Sequence, residues 1–118
     1  LPKFTILLKN AIKFQAGVVI NFSDEKNFGV VAIDQDGDVL QMEKQRGEWV
    51  GAKRIGKITS TVNRQNPYPN GLTFQFSVIL QNGMLAVRIN NVSVGTWSKN
   101  PKTSCGFFLS GTEAIFTY

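Results

Sequence analysis

The stretch that decides the fold is residues 71–92, which read GLTFQFSVILQNGMLAVRINNV. Apolar side chains take every second position in its first half, namely Leu72, Phe74, Phe76, Val78 and Leu80. A period of two predicts a strand with one buried side. An Asn-Gly pair at 82–83 then suits the positive φ angles of a tight hairpin. The apolar alternation resumes at Leu85, Val87 and Ile89, so residues 71–92 predict a hairpin followed by a second turn at Asn90-Asn91.

The same alternation predicts strands along the rest of the chain. They are Lys3–Lys9, Gly17–Phe22, Phe28–Ile33, Val39–Gln45, Glu48–Val50, Val92–Trp97, Cys105–Leu109 and Ala114–Tyr118. Phe28–Ile33 is apolar on both sides, which predicts a central strand buried on both faces. Residues 51–70 are the least regular part, and the last two strands are expected to form a closing hairpin. Glycines punctuate the chain at the spacing of turns in an all-β sandwich.

Composition limits the class of protein. The chain has 118 residues, 42% of them hydrophobic and 18% charged, which predicts a single globular domain over residues 1–118. No apolar run approaches the roughly 18 residues that a membrane span needs. The one cysteine, Cys105, excludes an internal disulfide and is expected to be a small buried side chain. The start at Leu1 resembles an excised N-terminus with no signal peptide after it.

The net charge of +5 suits a basic surface. Such a surface can favour nucleic acid, acidic glycans or a membrane surface, and its plainest interpretation is a solvated face. Basic and aromatic residues are loosely interleaved between Lys44 and Arg54, but no nucleic-acid motif is present. Nucleic acid is therefore not expected as a partner.

The order of strands and turns resembles the concanavalin A-like, laminin-G-like jelly-roll superfamily, especially its bacterial secreted domains. The resemblance covers nearly the whole chain and lies in an N-terminal strand followed by segments 16–22, 24–28, 34–37, 47–49, 76–78, 82–91 and 106–109. It implies a curved sandwich of two antiparallel sheets that binds glycans, mediates adhesion or hydrolyses glycosides. Asn91 stands where many members have glycine, and the short chain suggests that a family strand before Leu1 is missing.

Catalysis is not expected. Without histidine, the chain cannot form a Ser-His-Asp triad or a histidine-ligated metal site. Glycoside hydrolases use a pair of carboxylates, and in the resembled superfamily these stand as Glu-x-Asp-x-x-Glu on one strand. The chain lacks that spacing, and of its eight acids only Glu43 falls within a predicted strand and away from a turn.

Calcium is the one metal that the sequence suggests, at the alternating carboxylates Asp34, Asp36 and Asp38. An EF-hand loop starting at Asp34 would need Gly in place of Val39 and Glu in place of Gln45. A hairpin turn explains the Asp36-Gly37 pair without a metal. No cofactor is therefore predicted, and this acidic segment is kept as a weak calcium candidate.

Carbohydrate binding needs aromatic faces for the C–H surface of a sugar and polar groups for its hydroxyls. Trp49, Tyr68 and Trp97 are the stacking candidates, although Trp49 is also expected to pack at a sheet edge. Their polar partners are predicted to be Gln41, Glu43, Gln75, Ser77 and Arg88, provided that the alternation places these residues on one open sheet face.

The sequence thus predicts a non-catalytic, lectin-like or accessory carbohydrate-binding module with a concanavalin A-like fold. We expect it to be extracellular, periplasmic or on the cell surface, with a glycan or acidic glycan as its partner. Two alternatives stay open. One is a protein-interaction or structural module of the same fold, with a partner protein or a larger multidomain parent, and the other is a domain related to glycoside hydrolases whose catalytic acids lie outside this chain.

Overall fold

The computed structural model describes residues 3–9, 13–58, 72–98, 104–111 and 113–117, which form ten strands. The strands are β1 (Lys3–Lys9), β2 (Gln15–Asp24), β3 (Asn27–Asp34), β4 (Asp38–Gln45), β5 (Glu48–Lys57), β6 (Leu72–Gln81), β7 (Met84–Ile89), β8 (Val92–Ser98), β9 (Ser104–Ser110) and β10 (Glu113–Thr117). Within these ranges no helix is long and apolar enough to cross a membrane.

The strands form two antiparallel sheets of five strands each. The first sheet has the order β10-β1-β6-β7-β8, and the second has the order β5-β4-β3-β2-β9. Their facing sides bury one large apolar core, to which both sheets contribute. The predicted all-β, two-sheet antiparallel sandwich is therefore confirmed.

Aromatic rings from both sheets meet in the core. Phe4 of β1 stacks on Phe76 of β6 with ring centroids 5.3 Å apart. From the second sheet, Phe107 of β9 meets Phe4 edge-on at 4.5 Å. Offset-stacked and edge-to-face rings are the preferred aromatic arrangements, so this trio fixes how the sheets lie on each other.

Strand β3 is buried on both faces, as its sequence predicts. Val31 and Ile33 point inward into the main core. Val30 and Ala32 point outward, yet both are 0% exposed because they belong to a second apolar cluster on the outer face of the sheet. The central position of β3, flanked by β2 and β4, is likewise the predicted one.

The hairpin turns follow from their asparagine and glycine residues. Asn82 and Gly83 have φ angles of 53° and 75°, and Asn90 and Asn91 have 51° and 65°. Two successive positive φ angles match the right-handed twist of a two-residue hairpin. Both turns predicted from residues 71–92 are confirmed.

Two predictions about the strands were wrong. Residues 51–57 are not irregular, because β5 continues to Lys57 and pairs with β4 across two register shifts. The last two strands do not form a hairpin, since β9 pairs with β2 in one sheet and β10 with β1 in the other. The chain crosses between the sheets at Gly111. A Cβ there would lie 2.4 Å from the carbonyl oxygen of Lys13, so the crossing leaves no room for a side chain.

We predict that Phe76→Ala lowers the free energy of unfolding by about 3–5 kcal/mol, because it removes a ring from the joint between the sheets. The matched control is Ile79→Ala on the same strand, where a side chain that is 40% exposed should cost about 1 kcal/mol or less. Urea unfolding of both variants checks the difference. Equal losses would contradict the assignment of Phe76 to the joint.

Candidate functional site

A cavity of about 500 Å³ opens at the edge of the sandwich, between β2, β3 and β4 of the second sheet and β8 of the first. We call it the edge cleft. Its walls include Trp97 and four polar residues, Asn21, Asn27, Gln41 and Glu43. The cleft thus combines one large aromatic ring with amide and carboxylate groups.

Trp97 reaches the cleft because β8 is an edge strand. Trp97 pairs with Leu85 on β7. Because Leu85 is buried in the core, the indole of Trp97 also faces inward and packs against that core. The ring lies over Gly95, where a Cβ would come within 2.7 Å of it. The absence of a side chain at Gly95 therefore allows Trp97 to lie flat against its own strand, half-buried and half in the cleft.

Gln41 and Glu43 enter the cleft from β4. Gln41 stands opposite Val31 and Glu43 opposite Gly29, both on β3. Cross-strand partners point to the same face of a sheet, and Val31 belongs to the main core. These two polar side chains consequently face inward, at the end of β4 where the cavity replaces the packed core.

Asn21 connects the two sheets at the cleft. The β2 register shifts after Ile20, and Asn21 takes a φ of 51° in this irregular segment. Its Nδ2 donates a hydrogen bond of 2.8 Å to the carbonyl oxygen of Ser98 at the end of β8. This bond holds β2 and β8 at a fixed separation across the cleft.

Hydrogen bonds also hold the two turns at the rim together. The Oδ1 atom of Asp24 accepts the backbone N–H of Lys26 at 2.8 Å and the Nδ2 of Asn27 at 3.0 Å. The Lys26 N–H bond is the main reason that the pKa of Asp24 lies below its usual value. Asn27 Oδ1 in turn accepts the N–H of Arg46 from the β4–β5 turn. The rim is therefore preformed.

The predicted polar residues do not share one sheet face. Gln41 and Glu43 lie in the edge cleft, whereas Gln75, Ser77 and Arg88 lie on the outer face of the first sheet. On that sheet Phe76 and Val87 point into the core, so the residues that alternate with them point outward. The condition that these residues share one open face is therefore not met, because the two sets point to different sides of the sandwich.

The stacking candidates are also separated. Trp97 lies in the edge cleft, Trp49 lies on the outer face of the second sheet, and Tyr68 lies outside the described residues. Trp49 is on the edge strand β5, as expected, and is 49% exposed. Of the predicted site residues, the structure thus brings together Trp97, Gln41 and Glu43.

Sequence reasoning missed Asn21 and Asn27 as cleft residues. Asn27 falls between two predicted strands, and nothing in the sequence marks the irregularity that turns Asn21 toward β8. A single asparagine inside an apolar strand was the only available signal, since this residue type tolerates positive φ.

The carboxylates of Asp34, Asp36 and Asp38 approach one another within 4.8 Å. Asp34 Oδ1 accepts the N–H groups of Asp36 and Asp38 at 2.9 and 3.0 Å, as in an Asx turn. Asp38 Oδ1 is buried without a hydrogen bond among the described residues, but Arg54 and Lys57 lie 3.5 and 3.6 Å away. Turn formation and ion pairing thus account for the cluster, and the calcium prediction gains no further support.

No protein-family profile matches the chain, and no curated protein matches it by sequence. Solved structures do match its fold. The carbohydrate-binding module CBM66 from Bacillus subtilis aligns with a TM-score of 0.54 at 16% identity, over 98% of this chain and 68% of that one. An ancestral congerin aligns with a TM-score of 0.54 at 13% identity, over 98% of this chain and 87% of the congerin. Galectin LEC-6 from Caenorhabditis elegans aligns with a TM-score of 0.51 at 11% identity, over 99% of this chain and 83% of the galectin.

The fold is a concanavalin A-like jelly-roll sandwich. The predicted fold class is confirmed by the two five-stranded sheets and by these neighbours. At identities of 11–16%, the likeness extends to the fold and not to individual site residues.

We predict that Asp34→Asn raises the free energy of unfolding at pH 7. Burial, the largest cause, raises the pKa of Asp34 above its usual value, so the folded state carries an unfavourable charge at neutral pH. The amide keeps an oxygen to accept both N–H bonds. The wild-type protein should regain stability as pH falls through the raised pKa, so the advantage of the variant should disappear below about pH 3.8.

Urea unfolding of the two proteins between pH 3 and pH 7 measures this difference. A variant that is less stable than wild type at pH 7 would contradict the explanation. The matched control is Asp36→Asn, whose carboxylate is exposed and does not accept those backbone bonds.

Proposed function

We propose that the chain is a non-catalytic carbohydrate-binding module of a secreted or cell-surface protein, and that it binds a sugar in the edge cleft. The observation that carries the proposal is the position of Trp97 beside Gln41 and Glu43 in one cavity. An indole face can stack on the C–H surface of a sugar ring. The amide of Gln41 can donate a hydrogen bond to a sugar hydroxyl or accept one from it, and the carboxylate of Glu43 can accept one.

The size and construction of the cleft support this function. A cavity of about 500 Å³ is within the usual range for sites that hold small ligands. The hydrogen bonds of Asn21 and Asp24 fix the walls before a ligand arrives. A preformed site loses less conformational entropy on binding, which matters for hydrated ligands such as sugars.

A binding role is favoured over hydrolysis by the count of carboxylates. Glycoside hydrolysis requires two carboxyl groups across the scissile bond. Among the described residues that line the cleft, Glu43 is the only acid. Its carboxylate can orient a hydroxyl but has no acidic partner there for general acid–base chemistry.

Fold neighbours add support of a coarser kind. One of them is a carbohydrate-binding module by name, and the others include galectins. The exposed large apolar side chains in the described ranges are spread over four strands, namely Trp49 and Val50, Ile79 and Leu80, Val92, and Ile115. This distribution favours a glycan ligand over docking of a protein on one apolar patch.

Acidic glycans are the finer proposal. Lys53 of β5 stands opposite Gln41 and faces the same side of the sheet. Its ammonium group is exposed. A sugar carboxylate or sulfate that extends from the cleft toward β5 would meet this cation.

We predict that Trp97→Ala weakens glycan binding more than tenfold, and that Gln41→Ala weakens it about tenfold through the loss of one well-formed hydrogen bond. A glycan array selects the ligand, and calorimetry with that ligand measures the dissociation constants. Gln41→Ala tests the cleft without a change in the core, because Trp97 also packs against the core whereas Gln41 does not.

Arg88→Ala is the control, because its side chain is on the outer face of the first sheet. It should leave the dissociation constant unchanged. Unchanged binding in both cleft variants, measured on protein that is shown to be folded, would refute the proposed site. Lys53→Ala separately tests the acidic class, since it should weaken an acidic glycan and spare its neutral analogue.

A further inference from the structure

The outer face of the second sheet carries an apolar cluster of its own. Val30, Ala32 and Met42 form its buried part, and Phe28 and Phe108 are among the side chains that pack against it. Residues on the solvent side of a sheet are usually polar. Here Val30 and Ala32 are nevertheless 0% exposed, and side chains of the same sheet pack against them.

The cover comes from both edges of the sheet. The ring of Trp49 on β5 lies 6.3 Å from that of Phe108 on β9, although three strands separate β5 from β9. Four strand spacings would place these strands about 19 Å apart in a flat sheet. The outer face is therefore concave, and the two rings lean toward each other across it.

A groove of about 650 Å³ lies beside this pair of rings. Trp49 and Phe108 form its walls, and Gly51, Ala52 and Met42 contribute small or apolar surface. Gln15 and Ser110 supply polar side chains from the two neighbouring strands β2 and β9. We call this cavity the outer groove.

The shape of the outer groove selects a flat ring. The planes of Trp49 and Phe108 are 80° apart. A planar aromatic molecule can stack on one of these rings while its edge meets the face of the other, and both arrangements are favourable. Lys44 Nζ lies over the Trp49 ring, 5.5 Å from its centroid, and 5.8 Å from the centroid of Phe28. This cation–π contact stabilises the indole from one side.

The apolar surface disfavours a sugar at this place. The residues beneath the rings offer no side-chain hydrogen-bonding groups, since they are Val30, Ala32, Leu40 and Met42. A buried hydroxyl without a partner costs binding free energy. We propose that the outer groove binds a small planar aromatic molecule with one polar group, which hydrogen-bonds to Gln15 or Ser110.

This site is separate from the edge cleft. The cleft lies on the side of β4 to which Gln41 and Glu43 point, and the groove lies on the side of Trp49 and Phe108. Met42 of β4 lines both cavities, and no other lining residue among those described is shared between them. The proposal therefore does not depend on glycan binding, and each site can fail without the other.

An NMR titration of the ¹⁵N-labelled chain with 2-naphthol tests the proposal. The compound is planar and carries a single hydroxyl. We expect the largest amide shifts at Gly51, Ala52, Phe108 and Ser110. The saturated analogue decahydro-2-naphthol has the same skeleton without a flat π face, and we expect it to bind at least tenfold more weakly.

Ala52→Leu fills the groove and should reduce the affinity for 2-naphthol at least tenfold. Ala86→Leu is the matched control on the outer face of the first sheet, and it should bind as wild type does. Spectra of both variants report directly whether they fold. Equal affinity for the saturated analogue, shifts outside the groove, or unchanged binding by a folded Ala52→Leu protein would each overturn the proposal.

Discussion

The burial of β3 on both faces is the constraint on which the rest of this structure depends. Its inner residues Val31 and Ile33 are buried against the first sheet. Its outer residues Val30 and Ala32 must be shielded from water by other side chains. Burial of each valine or isoleucine side chain contributes about 1.5–3 kcal/mol, so exposing either face to water would cost stability. The inner requirement produces the sandwich, and the outer one is met by curling the second sheet until Trp49 and Phe108 meet.

Both cavities are consequences of this double burial. The main core ends near Ile20 and Trp97, where the sheets are no longer filled by large apolar side chains. Gln41 and Glu43 occupy inward positions beyond that end and become the polar wall of the edge cleft. On the other face, the leaning rings cover the middle of the sheet and leave the outer groove beside them.

The sequence was sufficient for the fold class because its signals were local. A period of two and paired asparagine or glycine residues specify the β6–β7 hairpin without reference to other strands. Partner choice is different, since β9 and β10 are close in sequence but pair with β2 and β1. That choice depends on packing between distant segments, which a turn signal cannot reveal.

The candidate site was only partly predictable for a related reason. Alternation along β4 separates Leu40 and Met42 from Gln41 and Glu43, but it does not say which set faces the core. The apolar set would normally face inward. Here it faces outward because β3 supplies apolar residues on that side as well, and the polar set lies where the core has ended.

The galectins and the carbohydrate-binding module share this architecture with the chain at 11–16% identity. Such low identity is compatible with one fold because strand period, turn residues and core volume can be preserved while most side chains change. Function resides in the site and not in the fold. The chemistry of Trp97, Gln41 and Glu43 must therefore be tested in this chain itself.

The most direct test is a crystal structure of the chain with the glycan selected by an array. The account predicts a sugar ring stacked on the indole of Trp97, with a hydroxyl hydrogen-bonded to Gln41 or Glu43. A sugar bound instead on the outer face of the first sheet near Arg88, or against Trp49, would contradict it.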